Sequence, residues 1–194
     1  MQYDEAIQRL VRAGVEAETP IAVQTPDAGE SFYRTVFGDP LSDAIKASGY
    51  PGGVELPWSA EELYLYGLEE LNKRQEGYRH DANTGDASSG WDEDRYVIAD
   101  WAANPVSITG DGSISYARHG EGSWSHIRIA ADLPGFFAML AAWLHYFVVE
   151  HNGNLFDENF EIAAATRDDL RRLVVADTAP EDREAAINFL LGEI

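Results

Sequence analysis

The chain has 194 residues, of which 45% are hydrophobic and 11% aromatic, enough for one folded domain with a substantial core. Its 34 acidic residues outnumber 14 basic ones, and the formal charge of −20 argues against binding to nucleic acid or to anionic lipid. The absence of cysteine excludes disulfides, thiolate metal sites and a cysteine nucleophile.

The first 60 residues are expected to be mainly helical. Apolar residues at helical spacing predict a helix over residues 4–13, which we expect to end at Gly14. A short strand is predicted at residues 21–23. The rest of this region predicts helical patches at residues 32–37 and after Pro40, and a loop at residues 49–53.

The middle of the chain alternates apolar and polar residues, which is typical of antiparallel strands. Residues 63–66 predict a strand, followed by a short polar helix that extends through Gln75. Further strands are expected at residues 95–99, in a hairpin over residues 106–116 that turns at Gly110-Asp111-Gly112, and at residues 125–129. Between these strands, residues 80–94 contain no aliphatic side chain larger than alanine and predict a long exposed loop.

The strongest helical pattern in the sequence begins after Asp132, a suitable N-cap residue. Apolar side chains recur every three or four residues from Leu133 to Val148, and Gly153 is expected to end the helix. Two more helical segments are predicted at residues 167–175 and 180–191. Helices, then antiparallel strands, then helices favour an α+β fold, an antiparallel meander flanked by helices.

No common catalytic motif is present: there is no phosphate-binding loop, no dinucleotide fingerprint and no nucleophile elbow. The five histidines do not have the spacing of a metal site. We therefore expect no catalytic residue, no metal and no cofactor. One alternative stays open, a hydrolase that uses His119, Glu121 and His126 in one loop region.

Several short segments occur in a characteristic order between residues 64 and 140. They are Tyr64-Leu65-Tyr66-Gly67-Leu68-Glu69-Glu70-Leu71, Gly77-Tyr78, Trp91, Tyr96-Val97-Ile98-Ala99-Asp100, Asn104-Pro105-Val106-Ser107-Ile108, Gly112-Ser113-Ile114-Ser115-Tyr116, His119 to Trp124, and Ile129 to Phe137. In this order they resemble the SUKH superfamily, in its Smi–Knr-type branch. The resemblance implies a single SUKH-like domain over residues 1–194, with residues 1–60 and 150–194 as atypical helical extensions.

The resemblance also implies a binding role. Bacterial members of the superfamily are commonly immunity proteins that neutralise a toxin, and many such toxins are nucleases with basic clefts. A strongly acidic protein is a physically reasonable inhibitor of a basic partner, because opposite charge speeds the encounter. The alternative is a regulatory or scaffold protein with no toxin partner. Since the N-terminus lacks a signal sequence and we find no apolar run near 18 residues, we expect a cytoplasmic protein that spans no membrane.

The candidate partner-binding residues are acids near the predicted long loop, together with one tryptophan. They are Glu69, Glu70, Asp86, Trp91, Asp92, Glu93 and Asp94. Two interpretations of Trp91 stay open: an exposed aromatic anchor for the partner, or a core residue that closes the sheet.

Overall fold

The computed structural model describes residues 1–27, 31–59, 61–121, 123–159 and 161–193. Its largest feature is a six-stranded sheet in which every strand is antiparallel to its sequence neighbour. The strands, in spatial as well as chain order, are β3 (Val54–Pro57), β4 (Glu62–Leu65), β5 (Arg95–Trp101), β6 (Asn104–Thr109), β7 (Ile114–Tyr116) and β8 (Ile127–Ala130). The predicted α+β meander with terminal helices is therefore confirmed.

Five α-helices accompany this sheet in the described residues: α1 (Tyr3–Glu16), α2 (Phe32–Ser48), α3 (Leu133–Leu144), α4 (Ala164–Asp169) and α5 (Arg183–Leu191). The two helical patches predicted at residues 32–37 and after Pro40 are both present. α2 contains them, and the non-helical backbone of Gly38 (φ 69°, ψ 167°) separates them. α3 continues as a wider π-helical turn over His145–Glu150, and α4 continues in the same way over Leu170–Val174. Asp132 caps α3 as predicted, because its side chain accepts a hydrogen bond of 2.7 Å from Gly135 N.

Three local expectations for the N-terminal region are wrong. α1 does not end at Gly14 but continues to Glu16. Glycine at position 14 allows the backbone of Thr19 to pack closely against α1, since a Cβ at Gly14 would lie 2.6 Å from the carbonyl oxygen of Thr19. The expected loop at residues 49–53 contains a short strand, β2 (Tyr50–Pro51), which pairs with β1 (Val23–Gln24). Residues 54–57 form β3 of the main sheet, so residues 1–60 are not solely a helical extension of the central segment.

Both terminal regions share one apolar core with the central segment. The ring of Trp58 lies 5.2 Å from that of Trp143 in α3 and 5.0 Å from that of Phe189 in α5. The indole N–H of Trp58 donates to the carbonyl of Phe189, and that of Trp143 donates to the carbonyl of Pro57. Each large side chain buried here stabilises the fold by roughly 1.5–3 kcal/mol.

The expectation that the chain contains no apolar run near 18 residues is wrong. The helical stretch Leu133–Glu150 spans 18 residues with a mean hydropathy of 1.4, long and apolar enough to cross a membrane by length and composition. More than half of it is buried inside the protein, where α3 packs along α1 and against β8. The central helix of a soluble protein has these properties, and this packing is consistent with one.

Candidate functional site

A polar groove of 580 Å³ lies beside the β5–β6 turn, between that turn and the segment that follows β4. Charged and tyrosine side chains dominate its walls. The groove is lined by Tyr66, Glu70, Lys73, Arg74, Glu76, Gly77, Tyr78, Ala82, Asp100, Ala103 and His119. Because it combines aromatic rings with several ionisable groups, this groove has the chemistry to hold a polar ligand.

One wall of the groove is fixed by Glu70, whose carboxylate is bound on several sides. It accepts a hydrogen bond from the Tyr64 hydroxyl, another from Gly67 N at 2.9 Å, and a third from Arg74 Nε at 2.8 Å. Partial burial opposes ionisation of Glu70, but the hydrogen bonds and the charge of Arg74 outweigh it, so the pKa of Glu70 is lowered. The predicted binding residue Glu70 is thus satisfied within the chain and orders this wall.

Asp100 also lines the groove; it lies on β5, at the register position paired with Tyr64 on the neighbouring strand β4. The hydroxyl of Tyr78 is 3.4 Å from Asp100 Oδ2 and 3.3 Å from the carbonyl oxygen of Ala103. Burial, and then the negative charge of Asp100, raise the pKa of Tyr78, and the same two causes raise the pKa of Tyr66. Both tyrosines are therefore neutral hydroxyls at physiological pH.

The backbone beside Asp100 is strained. The two-residue turn between β5 and β6 consists of Ala102 and Ala103, which have φ angles of 49° and 62°. Left-handed backbone costs a residue other than glycine roughly 1–2 kcal/mol. Such strain concentrates at functional sites, and here it fixes the carbonyl of Ala103 at the rim of the groove.

The long loop predicted at residues 80–94 is present, but it begins earlier, at residue 76, and so spans residues 76–94 next to the groove. The segment contains six acids and one arginine. It is tied down by backbone bonds such as Ser88 N to the carbonyl of Arg79, and by Arg79, which donates to the carbonyl of Glu93 and stacks 3.9 Å from the Tyr96 ring. The loop therefore presents its acids from a fixed backbone.

The acids of this loop differ from those of the C-terminal helices in their ion pairing. In the C-terminal region, Arg171 pairs with Asp168 and Glu184, and Arg172 pairs with Asp169. By contrast, several exposed acids around the groove make no ion pair among the described residues: Glu69, Glu76, Asp86, Glu93 and Asp94. Asp92 is 3.9 Å from Arg95, a weak contact. These five acids therefore carry negative charge that no ion pair among the described residues cancels.

The sequence left two interpretations of Trp91 open, an exposed anchor and a core residue, and the structure shows a core residue. It is 7% exposed, and its indole N–H donates to the carbonyl of Arg95 at 2.9 Å. Its ring centroid lies 5.7 Å from that of Tyr78, 5.1 Å from that of Trp124 and 5.0 Å from that of His126. An aromatic anchor must be exposed in order to contact the partner. Because Trp91 is buried, it packs beneath the loop and is not part of the exposed surface of the loop.

The three candidate hydrolase residues form no hydrogen bonds to one another in the described part of the chain. His119 and Glu121 are exposed, and Glu121 is 4.0 Å from Arg118. Both ring nitrogens of His126 are buried and lack a partner among the described residues. Burial, and then the charge of Arg95, lower the pKa of His126 to about 4. The described residues also contain no group of three or more histidines or acids arranged to hold a metal ion.

Comparison with known proteins adds no relative: no family model matches the chain, and neither the curated proteins nor the solved structures contain a match. The resemblance to the SUKH superfamily accordingly stays a prediction. Among the groove residues, the sequence analysis selected Glu70 but not Asp100, Tyr78 or Lys73. The available signal was Asp100 itself, a carboxylate within the apolar strand pattern that ends at Trp101.

Proposed function

We propose that this chain is a non-enzymatic, cytoplasmic domain that binds a basic partner protein. The partner is a toxin domain, and this chain is the immunity protein that neutralises it. The observation that carries the proposal is the set of exposed, unpaired acids on the rigid loop beside the groove. The implied membership of the SUKH superfamily supports the same role.

The physical basis is electrostatic complementarity. Uncompensated carboxylates on one face produce a negative potential that accelerates encounter with a basic surface and fixes its orientation. Acids held by arginines in the C-terminal region contribute less, because their field is partly cancelled locally. Because hydrogen bonds hold the backbone of the loop, less conformational entropy is lost on binding, and this favours affinity.

The direct test uses the products of the open reading frames adjacent to this gene. Each is expressed with and without the full chain, growth of the host is recorded, and complex formation is measured by size-exclusion chromatography with light scattering. We expect one neighbouring product to arrest growth, to be rescued by this chain, and to form a stable complex with it. If no adjacent product is toxic or bound, the proposal is wrong. A complex without toxicity would instead favour the regulatory or scaffold alternative.

Two matched sets of charge-neutralising substitutions locate the surface. The test set changes Glu69→Gln, Asp86→Asn, Glu93→Gln and Asp94→Asn; the control set changes Glu18→Gln, Glu55→Gln, Glu158→Gln and Asp177→Asn, all exposed and equal in charge. We expect the test set to weaken partner binding at least tenfold and to reduce its salt dependence, because it removes the steering charges. The control set should change affinity less than threefold. Equal losses in both sets would show that net charge alone, and not this face, attracts the partner.

A further inference from the structure

We propose that the groove is a receptor for a single arginine side chain, with Asp100 as its counter-charge and the hydroxyl of Tyr78 and the carbonyl of Ala103 as further acceptors. The inference rests on the proposed function in one respect, that the arginine belongs to the partner protein. It specifies which chemical group of the partner enters which cavity.

Hydrogen-bond acceptors outnumber donors in the corner of the groove around Asp100. The Tyr66 and Tyr78 hydroxyls lie against Asp100 and supply one proton each, whereas the Asp100 carboxylate and the Ala103 carbonyl offer three acceptor oxygens. The Tyr78 hydroxyl is 3.4 Å from Asp100 Oδ2 and 3.3 Å from the Ala103 carbonyl oxygen. Both distances exceed the usual 2.7–2.8 Å for O–H···O bonds. Asp100 makes no ion pair among the described residues, although it is half-buried. A guanidinium, which has five N–H donors and no acceptor, supplies what this corner lacks.

Tyrosine rings form part of the groove walls. The chain's own Arg74 already stacks its guanidinium 4.7 Å from the Tyr64 ring and 4.9 Å from the Tyr66 ring. The Tyr78 ring is held in place by Trp91 and Trp124, at 5.7 Å and 5.9 Å. Planar, weakly hydrated guanidinium groups stack on such rings more readily than the strongly hydrated ammonium of lysine. Because Tyr66 is fully buried and Arg74 stacks on Tyr64, the half-buried ring of Tyr78 is the one left for an incoming guanidinium, and this ring favours arginine over lysine as the occupant.

The groove walls carry more negative than positive charge. Glu70 and Arg74 neutralise each other, so the remaining charged side chains are Asp100, Glu76 and Lys73. Lys73 is exposed and opposes the entry of a cation. The proposal therefore requires that removal of the Asp100 charge and removal of the Lys73 charge have opposite effects on arginine binding.

The probe is a capped Ala-Arg-Ala tripeptide, titrated into the full chain and followed by backbone amide NMR shifts. We expect saturable shifts at Asp100, Ala103 and Tyr78, weaker binding of the lysine tripeptide by at least threefold, and no saturable binding of the uncharged citrulline tripeptide. Equal binding of lysine would overturn the assignment to arginine. Shifts spread evenly over the acidic surface would overturn the groove as the site.

Three single substitutions test the charges. Asp100→Asn should weaken the arginine tripeptide at least tenfold, Lys73→Gln should tighten it about twofold to threefold, and the control Asp177→Asn, exposed and outside the groove, should change it less than twofold. Thermal unfolding of each variant shows that the fold is retained. Equal effects of Asp100→Asn and Asp177→Asn would overturn the proposal. Weaker binding on Lys73→Gln would also overturn it, because that result indicates an anion site.

The outcome can be separated from that of the proposed function. If the tripeptide binds in the groove but no neighbouring gene product forms a complex, the arginine receptor stands and the immunity role fails. If a neighbouring toxin binds with the same affinity to the wild type and to Asp100→Asn, the immunity role stands and the partner's arginine does not use this groove.

Discussion

The side-chain amide of Gln75 hydrogen-bonds to both backbone groups of Val97 on β5. Its Nε2 donates to the Val97 carbonyl at 2.9 Å, and its Oε1 accepts from Val97 N at 3.0 Å. Pairing of β4 with β5 reaches only Ala99 in the strand register, with one further bond from Tyr66 N to the carbonyl of Ile98. The Gln75 side chain thus forms the two hydrogen bonds to Val97 that a longer β4 would form with its backbone. These bonds also attach the groove wall to the sheet.

Replacing Gln75 with leucine should destabilise the protein by about 2–5 kcal/mol. The substitution keeps most of the volume but leaves the N–H and carbonyl of the buried residue Val97 unpaired, and each unpaired buried group costs about 1–3 kcal/mol. Urea denaturation followed by tryptophan fluorescence measures the change in the free energy of unfolding. Gln8→Leu, on the exposed side of α1, is the control and should shift it by less than about 0.5 kcal/mol. Similar values for both variants would contradict the role assigned to Gln75.

Replacing Ala103 with glycine should stabilise the fold by about 1 kcal/mol. Ala103 has a φ of 62°, in the left-handed region where glycine carries no Cβ penalty. The control is Ala47→Gly, an exposed position within α2, which should destabilise by about 0.5–1 kcal/mol because glycine is a poor helix former. Opposite signs in thermal unfolding are the expected result. A loss of stability at Ala103 would show that the turn is not strained.

Replacing Trp91 with alanine should destabilise the protein by about 3–5 kcal/mol, the usual cost of emptying the place of a large buried aromatic side chain. The ring contacts of Trp91 with Tyr78, Trp124 and His126 would all be lost. Trp91→Phe keeps a ring there and should cost less, although it loses the bond to the Arg95 carbonyl. Equilibrium denaturation measures both. If Trp91→Ala left stability unchanged but abolished partner binding, the anchor interpretation would be correct after all.

The strand and helix order was predictable because the central segments carry clear periodicity. Ile108 and Ile114 alternate with polar residues on either side of a glycine-rich turn, and the helix after Asp132 has an unbroken apolar face. By contrast, β2 and β3 are short and lie in a region rich in glycine and proline, so their pairing depends on partners distant in sequence. Propensity alone does not contain that information.

The groove was only partly predictable from the sequence. Acid density drew the prediction to Asp86, Asp92, Glu93 and Asp94, which do lie exposed on the loop. The convergence of Tyr78 with Asp100 depends on the course of the loop back to β5, a separation of 22 residues. Burial of Trp91 was equally hidden, because a tryptophan flanked by aspartate and glycine has the local sequence of an exposed residue.

Stability should fall on acidification between about pH 6.5 and pH 4, in part through His126. Burial lowers the pKa of His126 in the folded protein to about 4, whereas a histidine in an unfolded chain has a pKa near 6.5. Between these values the unfolded state binds the additional proton, so protonation favours unfolding, and the stability due to the neutral ring is lost as the pH decreases. With a discount for the partial exposure of the ring, the contribution is about 1–2 kcal/mol.

His126→Phe keeps a ring beside Trp91 and should reduce the slope of the free energy of unfolding against pH in this window. NMR titration of the wild-type ring should show no protonation above about pH 5, and an inflection of its signals near pH 6.5 would contradict the buried, unpartnered state of His126.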